Sequence, residues 1–168
     1  MNAKIILPQV KNIIAVASGK GGVGKTTVTV NLALALQRQG ARVGIFDADV
    51  YGPNVPIMLG IHRRKAAKGM AAIARRKEAP PYIKPLTRFG LHIMSIGLLV
   101  AEDEVIDPAR SPDAVGQLVV QTLKDVIWGP LDYLLIDLPP SAGQPQASLL
   151  QRVPLRGVII VTTPQDLS

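Results

Sequence analysis

GKGGVGKTT, residues 19–27, is the stretch of this chain that decides its fold. Its first eight residues fit the pattern G-x-x-x-x-G-K-[ST] at every fixed position, which is the pattern of a phosphate-binding loop. The glycines of such a loop turn successive backbone N–H groups towards the phosphates of a nucleotide. Lys25 then supplies a positive charge for the β- and γ-phosphate oxygens, and the Thr26 hydroxyl is placed to bind Mg²⁺. The stretch therefore predicts a nucleotide-binding site.

The residues on either side of the loop have the composition that this motif needs. Residues 12–17, NIIAVA, form a short apolar run rich in β-branched side chains, which favours a strand. Residues 26–39 have the length of a helix and are followed by Gly40, which is typical of a helix end. Strand, glycine loop and helix is the order in which a phosphate-binding loop occurs. A solvent-exposed Gly-Lys turn is the weaker interpretation.

Further apolar runs predict the rest of a sheet. They comprise residues 42–46, 91–96, 133–136 and 157–161. Their alternation with helical segments predicts an α/β fold, with a mostly parallel sheet and helices on both faces. One helix is expected to start at Ser111 and Pro112 and to continue through Ile127, before Gly129.

Acidic residues follow two of these runs. Asp47 comes directly after the second strand and Asp137 directly after the fourth. Ligands of open parallel sheets bind beyond the carboxyl ends of the strands, so both carboxylates are expected near the loop. Asp137 is placed as a Walker B aspartate, which holds Mg²⁺ directly or through water beside Thr26. Capping of the next turn is the alternative role of either aspartate.

Several stretches together resemble one protein family. Beside VKNIIAVASGKGGVGKTT from residue 10, they read GIFDADVYGPNVP from 44, MSIG from 94, DYLLIDLPP from 132 and VPLRGVIIVTTPQD from 153. They resemble the Mrp-type iron-sulfur cluster carrier ATPases, which have the P-loop NTPase fold and are relatives of the MinD and ParA partition ATPases. The resemblance excludes residues 62–88 and 106–116. It implies ATP and Mg²⁺ as cofactors and an iron-sulfur cluster as cargo.

The resemblance also assigns roles to residues. Lys20 marks the deviant Walker A class, KGGxGK[ST], in which this lysine reaches the phosphates bound by the partner of a dimer. The catalytic residues so implied are Lys20, Lys25 and Asp49, of which Asp49 would orient or deprotonate the attacking water. Thr26, Asp47 and Asp137 would serve the magnesium ion. The nucleotide-binding residues would be Gly19, Lys20, Gly21, Gly22, Val23, Gly24, Lys25, Thr26 and Thr27.

Two departures from the family concern turnover and cargo. Where members typically carry PPGTGD after the Walker B strand, this chain has PPSAGQ at residues 139–144. That loop senses the γ-phosphate, so low or absent ATP hydrolysis is expected while phosphate binding survives. The chain has no cysteine, hence no thiolate ligand for a cluster. It resembles the N-terminal two-thirds of such a domain, incomplete at its C-terminus.

Composition predicts one folded domain, residues 1–168, with a basic insertion at residues 62–88. The insertion has nine Lys or Arg residues against Glu78 alone. A solvated loop with nonspecific affinity for anionic surfaces is expected there, and an amphipathic helix for a membrane or nucleic acid is the alternative. A membrane-spanning helix needs about 18 apolar residues in succession, and no apolar run of the chain approaches that length. A cytoplasmic protein is therefore expected.

The predicted function is that of an Mg-ATP-binding carrier, active in cluster assembly or transfer once a cysteine-bearing C-terminal part completes it. The expected partners are a second copy or a relative in a dimer, and apo iron-sulfur proteins. Two alternatives stay open. One is a partition-type ATPase that cycles on a surface through the basic insertion. The other is a non-catalytic fragment that pairs with a full-length relative and regulates it.

Overall fold

A computed structural model describes residues 4–50, 52–62, 83–99, 112–140 and 144–164 of the chain. In chain order, its elements are β1 (Val10–Ala17), α1 (Lys25–Arg38), β2 (Val43–Asp47), α2 (Val55–Met58), β3 (Leu86–Arg88), β4 (Leu91–Ser95), a 3₁₀ turn (Ile96–Leu98), α3 (Pro112–Asp125), β5 (Leu131–Asp137), α4 (Gln144–Arg152) and β6 (Gly157–Ile160).

The strands form one six-stranded sheet in the order β3, β4, β2, β5, β1, β6. All neighbouring pairs are parallel except β3 with β4. The predicted mostly parallel α/β sheet is therefore confirmed. In the register between β2 and β5, Asp47 lies opposite Asp137, so both carboxylates reach the carboxyl edge of the sheet, where β1 leads into the glycine loop.

Helices cover both faces of the sheet, because alternate residues of a strand point to opposite sides. Ile45 and Leu135 pack on one face against Val30 of α1. Phe46 and Ile136 pack on the other face, in the core to which α3 and α4 contribute. Burying each such side chain contributes about 1.5–3 kcal/mol. The central strands are thus held rigidly from both sides, which fixes the positions of their carboxyl ends.

The structure corrects the predicted end of α3. The helix ends at Asp125 rather than at Ile127. Val126 forms an isolated parallel bridge with Ile83, and the Ile127 N–H donates a 2.9 Å hydrogen bond to the Ile83 carbonyl. The prediction was wrong at this point because the Ile127 N–H donates to a distant segment, although the Val126 N–H still donates to the Thr122 carbonyl as in a helix. Ser111, the predicted start, lies outside the described residues.

The predicted basic insertion also overlaps the sheet. Its last residues include β3, the antiparallel edge strand, in which Arg88 pairs with Leu91 of β4. Only residues 63–82 of the stretch lie outside the described residues, so its predicted conformation is not described. In the described ranges, no helix is long and apolar enough to cross a membrane.

Candidate functional site

The glycine loop between β1 and α1 has a backbone that only glycine adopts readily. Gly22 and Gly24 have φ angles of 81° and 92°, in the left-handed region that side chains rarely occupy. A Cβ added at either residue would meet no atom within 4 Å, so the backbone angle and not crowding requires glycine. Gly24 caps α1 without a side-chain hydrogen bond. The first N–H groups of the helix therefore remain available to an anion.

Lys25 is buried at the start of α1, with its side chain 7% exposed. Its Nζ lies 2.9 Å from Asp137 Oδ1. Apart from this ion pair, Nζ has no hydrogen-bond acceptor in the part of the chain that the structure describes. An ammonium group has three N–H donors, and buried donors that lack acceptors are costly. A phosphate oxygen is the charged acceptor that such an ammonium group binds strongly.

Asp137 is a fully buried carboxylate that α1 surrounds with hydroxyl groups. The Thr26 hydroxyl donates to Oδ2 over 2.7 Å, and the Thr29 hydroxyl donates to Oδ1 over 2.8 Å. The structure therefore brings together the two residues expected at the magnesium ion, Thr26 and Asp137. Thr29 was not among the predicted residues, although its place four residues after Lys25 puts it on the same helix face.

Asp47 is fully buried as well, and protein donors occupy both of its oxygens. Oδ1 accepts the Asp49 N–H at 3.1 Å. Oδ2 accepts the Ser95 hydroxyl at 3.0 Å and the Val55 N–H at 3.3 Å. Burial raises the pKa of the Asp47 carboxyl to about 7, and the negative charge of Asp137 adds to this rise. Asp47 thus contacts the surrounding backbone, and its contacts with Ser95 and Val55 were not predicted.

Asp49 lies on the wall of a cavity of about 360 Å³ beside the loop. This volume is within the range of small-molecule sites. The Asp49 side chain is mostly buried, and its Oδ1 accepts the Gly52 N–H at 3.0 Å. The cavity is lined by Ser18, Lys20, Gly21, Gly22, Gly24, Lys25, Thr26, Thr27, Asp49, Asn54, Met58 and Pro140.

The structure thus brings most of the predicted residues to one cavity. Lys20 lies on the wall with an exposed side chain, while Gly19 and Val23 do not line it. Asp47 and Asp137 do not line the cavity, but they contact Asp49 and Lys25, which do. Asn54, which precedes α2, and Met58, the last residue of α2, also line the cavity and were not predicted to do so. Residues 141–143, in the loop expected to sense the γ-phosphate, lie outside the described residues.

Comparison with known sequences supports a nucleotide site. Residues 9–168 match a family model described as ParA, NUBPL iron-transfer P-loop NTPase. An iron-sulfur cluster carrier protein of Haemophilus influenzae is 50% identical over 161 residues, which are 95% of this chain and 40% of that protein. One of Methanocaldococcus jannaschii is 45% identical over 163 residues, 96% of this chain and 53% of that protein. The chain spans about half the length of the curated relatives it matches.

Solved structures of P-loop proteins have a similar fold. A nucleotide-binding protein of Archaeoglobus fulgidus in complex with ADP is 38% identical, with a TM-score of 0.74 over 96% of this chain and 58% of that chain. The septum site-determining protein MinD of Pyrococcus horikoshii, complexed with Mg-ADP, is 30% identical. Its TM-score is 0.58 over 92% of this chain and 59% of that chain.

Proposed function

Because the chain belongs to the family of NUBPL iron-transfer P-loop NTPases, we propose that it binds Mg-ATP as the nucleotide-binding part of an iron-sulfur cluster carrier. The observation that carries the proposal is the buried Lys25 ammonium group. It pairs with Asp137, which also accepts the Thr26 hydroxyl, and in the described part of the chain it has no hydrogen-bond acceptor beyond this ion pair. A nucleotide's phosphates supply acceptors to Lys25 and to the N–H groups of the loop.

The residues present suit a magnesium ion as well. Thr26 Oγ1 and Asp137 Oδ2 are oxygen atoms 2.7 Å apart, and oxygen is the ligand that Mg²⁺ prefers in proteins. When bound, the ion would neutralise charge on the β- and γ-phosphates. Asp47 supports this arrangement from the neighbouring strand, and since its oxygens already accept three hydrogen bonds, its support is indirect.

For hydrolysis, we assign to Asp49 the orientation or deprotonation of the attacking water. Its place on the cavity wall supports this role. Turnover is slow in the proposal, because Ser141 and Gln144 of the PPSAGQ sequence at residues 139–144 replace a glycine and an aspartate that family members carry there. Lys20, exposed at the same wall, would reach the nucleotide of a second subunit, either a copy of this chain or a relative.

The cluster is cargo in this proposal, and its ligands lie elsewhere. The chain has no cysteine, and iron-sulfur clusters are held mainly by cysteine thiolates. A cysteine-bearing polypeptide would therefore hold the cluster, and apo iron-sulfur proteins would receive it. The proposed contribution of this chain is to couple ATP binding to that transfer.

The experiment that tests the proposal is a calorimetric titration of the chain with ATP and with AMP, each with and without Mg²⁺. ATP should bind, Mg²⁺ should tighten its binding, and AMP should bind far more weakly because it lacks the β- and γ-phosphates that Lys25 contacts. Equal affinities for ATP and AMP would contradict the assignment of the loop.

A surface-cycling ATPase is the second candidate, favoured by the nine basic residues within residues 62–88. Any basic segment adsorbs to anionic vesicles in a salt-sensitive way. This candidate requires in addition that the chain be released from the vesicles when ATP is added. Sedimentation of the chain with vesicles, with and without ATP, decides between the two candidates.

A further inference from the structure

The carboxyl end of β4 contacts a segment that forms part of the nucleotide cavity. This segment, residues 47–58, leads from the end of β2 through α2. In the register between β2 and β4, Asp47 lies opposite Ser95, and the Ser95 hydroxyl donates a 3.0 Å hydrogen bond to Asp47 Oδ2. Both residues are fully buried. The contact therefore joins two strand ends in a place that water does not reach.

The carboxylate of Asp47 extends this link to both ends of the segment. Its Oδ1 accepts the Asp49 N–H, and its Oδ2 accepts the Val55 N–H at the start of α2. A single side chain thus holds the exit of β2, the entry of α2 and the end of β4. The three hydrogen bonds to this one buried carboxyl group together constrain the path of the segment.

Gly97 provides a second contact between β4 and the segment. A Cβ at Gly97 would lie 2.2 Å from Cγ and 2.6 Å from Cβ of Pro53. Such distances are far inside van der Waals contact, so the Pro53 ring packs directly on the backbone of Gly97. Any side chain at residue 97 would push Pro53 and its neighbours away.

The segment held in this way carries three of the residues that line the cavity: Asp49, Asn54 and Met58. Ser95 contacts this segment through Asp47, and Gly97 contacts it through Pro53.

We propose that Ser95 and Gly97 are positioning residues of the nucleotide site, which act through Asp47 and Pro53 to hold Asp49, Asn54 and Met58 at the cavity wall. The identity of the ligand rests on the proposed function, whereas the positioning itself does not. Displacing the end of β4 should therefore move Met58 even in the nucleotide-free protein.

The test uses the methyl resonance of Met58 in the full chain labelled with ¹³C-methyl methionine and assigned with Met58→Leu. Ser95→Ala removes the hydroxyl that Asp47 accepts, and Gly97→Ala introduces the Cβ that collides with Pro53. Thr122→Ala is the matched control, because it removes another buried hydroxyl, in α3, far along the chain from the segment. Fluorescence of buried Trp128 checks that each variant is folded.

Both β4 variants should shift or split the Met58 resonance without nucleotide, and the control should leave it in place. An unchanged resonance in Ser95→Ala, which is the smaller change and the one expected to stay folded, overturns the proposal. A shift of equal size in Thr122→Ala overturns it as well, because the effect would then be general. Failure of the parent chain to bind ATP contradicts the proposed function alone and leaves the result for Met58 standing.

Discussion

Thr29 and Asp137 are 108 residues apart in the sequence, and the Thr29 hydroxyl donates a 2.8 Å hydrogen bond to Asp137 Oδ1. The same oxygen lies 2.9 Å from the Lys25 ammonium nitrogen. One carboxylate at the end of β5 thus holds two residues one helical turn apart on α1. The position of the glycine loop relative to the sheet follows from this contact, since the loop leads directly into α1.

Thr29→Val should destabilise the protein by about 1–3 kcal/mol, because it removes a hydrogen bond from a buried carboxylate while keeping the shape of the side chain. Urea denaturation measures the change in the free energy of unfolding. Thr29→Ser keeps the hydroxyl and is the matched control. If the valine variant is as stable as the serine variant, the hydrogen bond does not contribute as described.

Lys25→Ala should weaken ATP binding at least tenfold, which corresponds to about 1.4 kcal/mol, because the charge that faces the phosphates is lost. Isothermal titration calorimetry measures the affinity. Lys11→Ala is the control, since Lys11 is 67% exposed and pairs with Asp132 at the opposite edge of the sheet. Unchanged ATP affinity in Lys25→Ala would refute the phosphate-binding role of the loop.

Asp49→Asn should slow any ATP hydrolysis at least tenfold and leave ATP affinity nearly unchanged, because the amide cannot accept the proton of the attacking water. Phosphate release under saturating ATP measures the rate. Asp125→Asn, at the exposed end of α3, is a matched control on the surface. A turnover rate equal to that of the parent would show that Asp49 has another role.

Asp132 should make folding stability depend on pH in the acid range. Hydrogen bonds from the Arg42 guanidinium, followed by the contact with Lys11, hold the pKa of the Asp132 carboxyl well below its usual range. A lowered pKa in the folded state contributes stability above the unfolded-state value of about 3.9, and this contribution is lost as the pH falls below it.

The unfolding free energies of the parent and of Asp132→Asn should therefore differ by a constant amount above about pH 5 and converge below it. Urea denaturation at a series of pH values measures this difference. Added salt should reduce the difference at neutral pH, since these side chains are partly exposed. A gap that widens towards acid pH contradicts the sign of the argument.

Reconstitution with iron and sulfide should leave no protein-bound cluster after desalting, because the chain has no cysteine. Visible absorbance of the desalted protein is the measurement. A stable stoichiometric cluster on the chain alone contradicts the ligand argument. A cluster that appears only with a separate cysteine-bearing polypeptide supports the proposed division of roles.

Much of the nucleotide loop could be predicted because its requirements are local. Gly22 and Gly24 need positive φ angles, and the glycine loop between an apolar run and a helix-length stretch marks the motif without any knowledge of distant contacts. Apolar runs that alternate with helical segments likewise predicted the parallel strands, which the structure confirms. Short motifs along the chain carried the family resemblance, which the comparisons confirm. These features depend on residues that are close in the sequence.

Contacts between distant residues were beyond such reasoning. The end of α3 was predicted two residues too late, because Val126 pairs with Ile83. Helical periodicity carries no information about a partner so distant in the sequence. Asp47 was expected at a magnesium ion or as a cap of the next turn, and neither expectation included the Ser95 hydroxyl that it accepts, 48 residues further along the chain. Strand order decides which residues meet at the carboxyl edge, and that order depends on the packing of the whole sheet. The local pattern therefore specifies the nucleotide loop, whereas the tertiary structure specifies which side chains hold it in place.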